Sequence, residues 1–371
     1  MVLLYYLLQS IAIYSCKTNI FVTEITFYQS HSMITKPVTI YDIAKKLQLA
    51  PSTISRGLKR HSSVSERTQE RILKTAEEMG YRANTFAINL RNRKTSTIGI
   101  IVPKLNSYFM SQVIAGIEGV VNNAGYTLLI SQSLEDVSKE IINVQTMFDN
   151  RVAGLLVSLA ENTKETSHFN RIQKQGIPVL FFDRTPVGSD LPAITINNES
   201  AGYKLTRHLI EQGAKNIVHI TGNQLSNVYR ERLVGYKRAL QEFGLPFEPQ
   251  NLLINDLSEQ AGIDAAHYIL KVKADGVFVA NDHCAASCMH ELKHRGRKVP
   301  EDILIAGFNN DMISRIVDPG LTTVDYPGFQ MGELAAKNLL AHIAQRIDIN
   351  LTSNIILKTP LLIRASSLRK N

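Results

Sequence analysis

From Thr97 onward, apolar runs of four or five residues alternate with longer amphipathic stretches, and this alternation constrains the fold more than any other feature. The runs are Ile98–Val102, Thr127–Ile130, Gly154–Val157, Val179–Phe182, Ile194–Ile196, Ile217–Ile220, Gly276–Val279 and Ile303–Ala306. Continuous apolar runs predict strands buried on both faces, and the helical stretches between them predict parallel βαβ units. Sheets of this kind bind ligands beyond the carboxyl ends of their strands. The polar residues placed there are Asp183 and Arg184, Thr221, Asn281 and Asp282, and Asn309 and Asn310. Each has a plain alternative role as a helix N-cap, Thr221 and Asp282 above all. Together they point to a small-molecule cleft between two lobes.

Charge is as segregated as the apolar pattern. Residues 33 to 94 hold 13 Lys and Arg against 5 Asp and Glu, whereas residues 95 to 371 hold 27 of each. The whole formal excess of +8 therefore sits in one short stretch. A basic module on a neutral body implies a polyanionic partner, with nucleic acid the first candidate and a membrane surface the second. A chain of 371 residues, 44% hydrophobic and 20% charged, has ample length for two or three globular domains and does not read as disordered. Three cysteines, Cys16, Cys284 and Cys288, are too few for a disulfide scaffold, which points to a reducing compartment such as the cytoplasm.

The basic module reads as a helix-turn-helix. Thr39 is an N-cap with Asp42 three residues on, and Ile40, Ile43, Ala44 and Leu47 share one face. After Gln48, Leu49 and Ala50, Pro51 opens a second helix at the position where a missing N–H costs nothing. That helix begins with the small polar residues Ser52, Thr53 and Ser55, with Arg56 one turn on, a surface suited to base edges in a major groove. A third helix runs from Ser65 as N-cap to Met79. Asn84 caps a further two-turn stretch ending at Leu90, too short to be stable alone, before Arg91, Arg93 and Lys94. The alternative is a small helical bundle with a solvated basic surface.

The run Val38–Ala44, then Ser52–Arg56, Val64, Ser65, Thr68, Ile72, Gly80, Tyr81 and Asn84, resembles the DNA-binding headpiece of the LacI/GalR family of bacterial transcription regulators. The resemblance extends from Lys36 to the C-terminus. It implies a helix-turn-helix DNA-binding domain over residues 33–83, a hinge helix and linker over 84–96, and a two-lobed periplasmic-binding-protein-like effector and dimerisation domain over 97–371. The implied fold is α/β, with parallel sheets flanked by helices behind a three-helix headpiece. By position, Pro51, Ser52 and Arg56 would read bases, with Thr53 on the same DNA-binding surface, and Leu90 would wedge the minor groove. Thr39, Tyr41, Ser55, Asn84 and Arg91 would make backbone or hinge contacts. Two departures stand out: Ala50 where the family usually has Ser, and Ala83 where it usually has Pro.

In the neutral body the resemblance implies chain crossovers near Asn197 and Thr322. It places effector contacts at Tyr108, Phe109, Asp183, Arg232, Asn281 and Asn309. Here too the chain departs, with Asn309 in place of a common Asp and Leu257 in place of a common aromatic. A sugar or sugar derivative is the expected effector, and a palindromic operator read by a homodimer the expected DNA partner. No cofactor and no membrane partner is expected.

Residues 2 to 13 are apolar apart from Gln9 and Ser10, too short a run to span a bilayer comfortably. They lack the positive charge that precedes the apolar core of a secretory signal. Residues 1 to 32 therefore read as an extension outside the fold, with Met33 the expected start; a real apolar extension and a targeting segment are the alternatives. Were that segment a signal, the chain would be an exported sugar-binding protein, which the helix-turn-helix opposes. Cys284, Cys288, His290 and His294 fall on one predicted helix but on different faces, so packing rather than metal is expected. No P-loop, zinc-protease helix or nucleophile elbow appears, and an enzyme is not expected.

Overall fold

The computed structural model describes residues 38–81, 95–186, 191–351 and 354–369. Residues 38–81 form one body and the described residues from Thr95 onward form another. The first is three helices: α1 (Ile40–Leu47), α2 (Pro51–Leu58) and α3 (Glu66–Glu78). The Thr39 N–H and hydroxyl both donate to Asp42 Oδ2, at 2.8 and 2.7 Å, which fixes the start of α1. Gln48 takes the left-handed conformation at φ 54° and ends that helix. Ile43, Ile54 and Ile72 are fully buried at the centre, with Ala44 and Ala76 beside them. α2 lies so close to α3 that a Cβ on Gly57 would run into Ile72 Cδ1.

The second body is two lobes. Its strands and helices alternate: β1 (Thr97–Val102), α4 (Tyr108–Asn123), β2 (Thr127–Gln132), α5 (Val137–Asp149), β3 (Gly154–Val157), α6 (Asn170–Lys174), β4 (Val179–Phe182) and β5 (Ala193–Ile196). These strands lie in the first lobe, in a parallel sheet of order β11-β5-β4-β3-β1-β2, where β11 is Asn354–Leu357. The second lobe follows with α7 (Asn198–Glu211), β6 (Ile217–Thr221), α8 (Asn227–Glu242), β7 (Leu252–Ile254), α9 (Glu259–Val272), β8 (Gly276–Val279), α10 (Asp282–His294), β9 (Leu304–Ala306) and α11 (Ile313–Ile316). Its parallel sheet has the order β7-β6-β8-β9.

Among the described residues the chain passes between lobes three times. The expected passages hold, one at Asn197 and one after Thr322, where β10 (Thr323–Val324) leads into α12 (Gly328–Ile343). α12 packs on α4 and on β3, β4 and β5 of the first lobe. A third, which the sequence reading did not contain, follows β11 through residues 358–360. It enters β12 (Leu361–Leu362), antiparallel to β10, and a short turn at Ala365–Ser367 on β9. Two passages running side by side tie the C-terminal segment to the joint: the Asp325 N–H donates to Pro360 O at 2.9 Å. One apolar cluster, including Phe109, Phe308 and Tyr326, continues from lobe to lobe through this joint.

Candidate functional site

On the headpiece, the residues expected to meet DNA surround the start of α2. Ser52 and Arg56 are exposed, Pro51, Thr53 and Ser55 half-buried, and Ile54 faces the core. Thr39 is half-buried and Tyr41 is 67% exposed. Ala50 has no side-chain acceptor, so the positive end of the α2 dipole is not capped by its own chain. Asn84, Leu90 and Arg91, together with Met33 and the hinge departure at Ala83, lie outside the described residues.

In the second body the expected effector residues come from the carboxyl ends of strands in both lobes. Tyr108 and Phe109 open α4, and Asp183 follows β4. Arg232 lies on α8, while Asn281 follows β8 and Asn309 follows β9. Phe109, Asp183 and Arg232 are linked through a residue that sequence reasoning missed, Tyr326. Its ring stacks on Phe109 at 4.1 Å between centroids and its hydroxyl donates to Asp183 Oδ1 at 2.6 Å. Burial pushes the Tyr326 hydroxyl well above the usual phenol range, so it stays a donor. The second Asp183 oxygen accepts from Ser158 Oγ at 3.1 Å. Phe109 itself is 7% exposed, which makes it a wall of the cleft more than a free contact surface.

Arg232 is 3% exposed, and neutral groups satisfy it. Its Nε donates to Asn198 Oδ1 and its Nη1 to Ala280 O, both at 2.9 Å, and its guanidinium lies 3.5 Å over the Phe308 ring. Asn281 is the N-cap of α10: its Oδ1 accepts from the Cys284 N–H at 2.8 Å, and its Nδ2 donates to Leu257 O at 3.1 Å. The cap is therefore Asn281 and not Asp282, and the cap position before α8 is Ser226 and not Thr221. Leu257 is 5% exposed in the second-lobe core and offers no stacking plane. Asn309 has φ 112° and Asn310 φ 56°, two successive left-handed residues that bend the chain back toward β10.

Across the lobes, the Thr185 N–H donates to Asn227 Oδ1 at 3.1 Å and Asn227 Nδ2 donates to Thr185 Oγ1 at 3.3 Å. Arg184 Nη1 pairs with Glu135 at 2.5 Å, while Nη2 donates to the Tyr229 hydroxyl at 3.4 Å. Glu161 joins this group through its N–H to Glu135 Oε2, and burial, then the Glu135 charge, raises its carboxyl. Carboxyl groups, two guanidinium groups, side-chain amides and aromatic walls thus lie at the strand ends of the two lobes, an arrangement for orienting a polar ligand.

Cys284 and Cys288 are buried, with the Cys284 thiol pushed up to about 12 by burial, whereas His290 and His294 are exposed. Among the described residues no cluster of three His, Cys, Asp or Glu is placed to hold a metal, and no helix is long and apolar enough to cross a membrane.

A three-helix DNA-binding headpiece joined in one chain to a two-lobed domain of parallel sheets defines a transcription regulator. Residues 39–84 match the model for bacterial regulatory proteins of the lacI family, and residues 206–367 match the periplasmic binding protein-like domain. Catabolite control protein A of Priestia megaterium is 31% identical over 82% of this chain and 92% of its own length. The transcriptional repressor PurR of Vibrio atlanticus is 30% identical over 83% and 92%. A crystal structure of the lac repressor dimer bound to operator and the anti-inducer ONPF superposes with a TM-score of 0.78 at 25% identity, covering 90% of this chain and all of that one. The chain belongs to the lacI family of bacterial regulatory proteins. It is a DNA-binding transcription regulator of that family and not an enzyme.

Proposed function

We propose that two copies of this protein bind a palindromic operator in the cytoplasm as a repressor. A small molecule, a sugar or sugar derivative, controls them from the cleft between the lobes. The observation that carries the reading is that a buried carboxylate and a buried guanidinium from different lobes both meet Tyr326: its hydroxyl donates to Asp183 Oδ1 at 2.6 Å, and the Arg232 guanidinium lies 5.8 Å from its ring centroid. A carboxylate that accepts hydroxyls, a guanidinium that donates to oxygens and aromatic walls suit a polyhydroxylated ring. Asn309 in place of an acid, and Leu257 in place of a ring, favour a derivative over a plain hexose. Because the ligand touches both lobes, it favours one lobe pose over another and shifts operator affinity by that difference.

Pro51, Ser52 and Arg56 read base edges from the start of α2 with Thr53 beside them, while Thr39, Tyr41 and Ser55 make backbone contacts. Asn84, Leu90 and Arg91 supply the hinge contacts. The test is calorimetry of the purified protein against a panel of sugars, sugar acids and sugar phosphates, repeated with Arg232→Lys. Binding of one class, lost in the variant, supports the reading. Flat traces across the panel, with operator binding intact, would replace the small ligand with a protein co-regulator.

A further inference from the structure

Two carboxyl groups lie side by side beneath the loop that carries Asn309. Asp282, the first residue of α10, is fully buried, and Asp311 is 3% exposed. The Asp282 oxygens are spent on the loop and the joint: Oδ2 accepts from the Asp311 N–H at 2.8 Å and Oδ1 from the Thr323 hydroxyl at 2.7 Å. Gly307 packs so tightly on that carboxyl that a Cβ there would run into Asp282 Oδ1. Asp311 Oδ1 has no hydrogen-bond partner. The nearest cation, Arg364, donates to neutral acceptors only: Ser314 Oγ at 3.0 Å, Leu321 O at 2.7 Å and Asn310 Oδ1 at 2.8 Å. Burial lowers the Arg364 guanidinium, while the Asp282 charge, without a direct bond, draws it up, Arg315 opposes it and Asp325 adds to it. Among the described residues no guanidinium or ammonium group forms an ion pair with either carboxyl, and two carboxylates in one buried site without a direct cation are strongly disfavoured.

We propose that Asp282 and Asp311 retain a proton between them at neutral pH and act as a pH-dependent clamp on the loop from Gly307 to Asp311, positioning Asn309 and the passage at Thr323. Burial raises Asp311 to about 7, and burial together with the Asp311 charge raises Asp282 to about 7. One negative charge on the pair suffices for Asp282 to accept from the Asp311 N–H and the Thr323 hydroxyl, and the retained proton keeps a second charge out of the site. When the proton leaves to solvent, the two negative charges repel and the loop loosens. Because the same loop pairs with the crossover, through Asn309 N–H to Val324 O at 3.1 Å and Asn310 N–H to Thr323 Oγ1 at 3.1 Å, the change reaches the lobe joint. Only its consequence for an effector rests on the cleft reading above; the clamp itself does not.

The experiment is carbon-13 NMR of the full chain labelled at aspartate carboxyls, titrated from pH 4 to 9. The expected result is a carboxyl titrating between about pH 6 and 8 instead of near the ordinary value of about 3.9, with the remaining carboxyl shifted down in Asp311→Asn, where the like charge is gone. Hydrogen exchange of residues 307–311 is the companion measurement. After correction for intrinsic chemistry, protection should fall about tenfold or more from pH 6 to 8 in the native chain and stay level in Asp311→Asn. Should that variant fail to fold, the native titration decides alone. If every aspartate carboxyl titrates below about pH 5, or the loop's protection does not change with pH, the clamp does not exist.

Discussion

The Arg232 guanidinium lies 3.5 Å over the Phe308 ring while donating to Asn198 Oδ1 and Ala280 O, so one buried cation is held by a π face and two neutral oxygens. It joins α7, β8 and the end of β9, the elements that build the second-lobe wall of the cleft. A charge-assisted hydrogen bond contributes about 1.5–3 kcal/mol, and stranding its buried acceptors costs more. Arg232→Ala should therefore lower stability by roughly 3 kcal/mol in urea denaturation, and Arg232→Lys by less. A loss under about 1 kcal/mol would show that the bonds contribute little.

Tyr326→Phe removes one hydroxyl and leaves a buried Asp183 oxygen without its 2.6 Å donor. The expected cost is about 1–3 kcal/mol, together with weaker ligand response, because Asp183 is no longer oriented. Tyr326→Phe with unchanged stability and response would detach the hydroxyl from the site.

Ile72 fills the headpiece core where α2 meets α3. Ile72→Ala should cost the headpiece about 2–5 kcal/mol and abolish DNA binding, while the melting of the two-lobed body stays where it was. A shift of the body transition would mean that the two bodies fold as one unit.

His219 sits between Tyr236 and Phe278, its Nδ1–H donating to Phe278 O at 3.1 Å, and burial pushes it from 6.5 down to about 3. The folded state keeps the ring neutral while the unfolded state takes a proton below 6.5, so its contribution is full above that pH and lost as pH falls toward 3. His219→Phe should flatten the acid-side loss of stability by an amount on the order of a few kcal/mol. Parallel pH profiles for the two proteins would contradict this. The Asp282 and Asp311 pair has the opposite sign, since its raised carboxyls favour the fold at low pH and oppose it as pH rises through about 7.

Much of the fold was legible because its strands are buried on both faces. Val179–Phe182 and Gly276–Val279 are unbroken apolar runs, and the structure has strands with those bounds. β11 was missed because it is an edge strand with Asn354 and Ile356 exposed, and β7, β10 and β12 are two or three residues long. The caps were legible in kind but misplaced in position: Asn281 and Asp282 are both good capping residues, and only the chain direction after β8 decides between them. Tyr326 could not be read at all, since its partner Asp183 is 143 residues away and nothing local marks it.

The central claim is that α2 reads DNA in a sequence-specific way, and genomic binding-site selection tests it most directly. Protein beginning at Met33 and the full chain should both enrich one palindromic motif, and Arg56→Ala should relax it by about 1–3 kcal/mol at a single base-pair position in each half. Enrichment of no motif, or an unchanged motif in Arg56→Ala, would contradict the account.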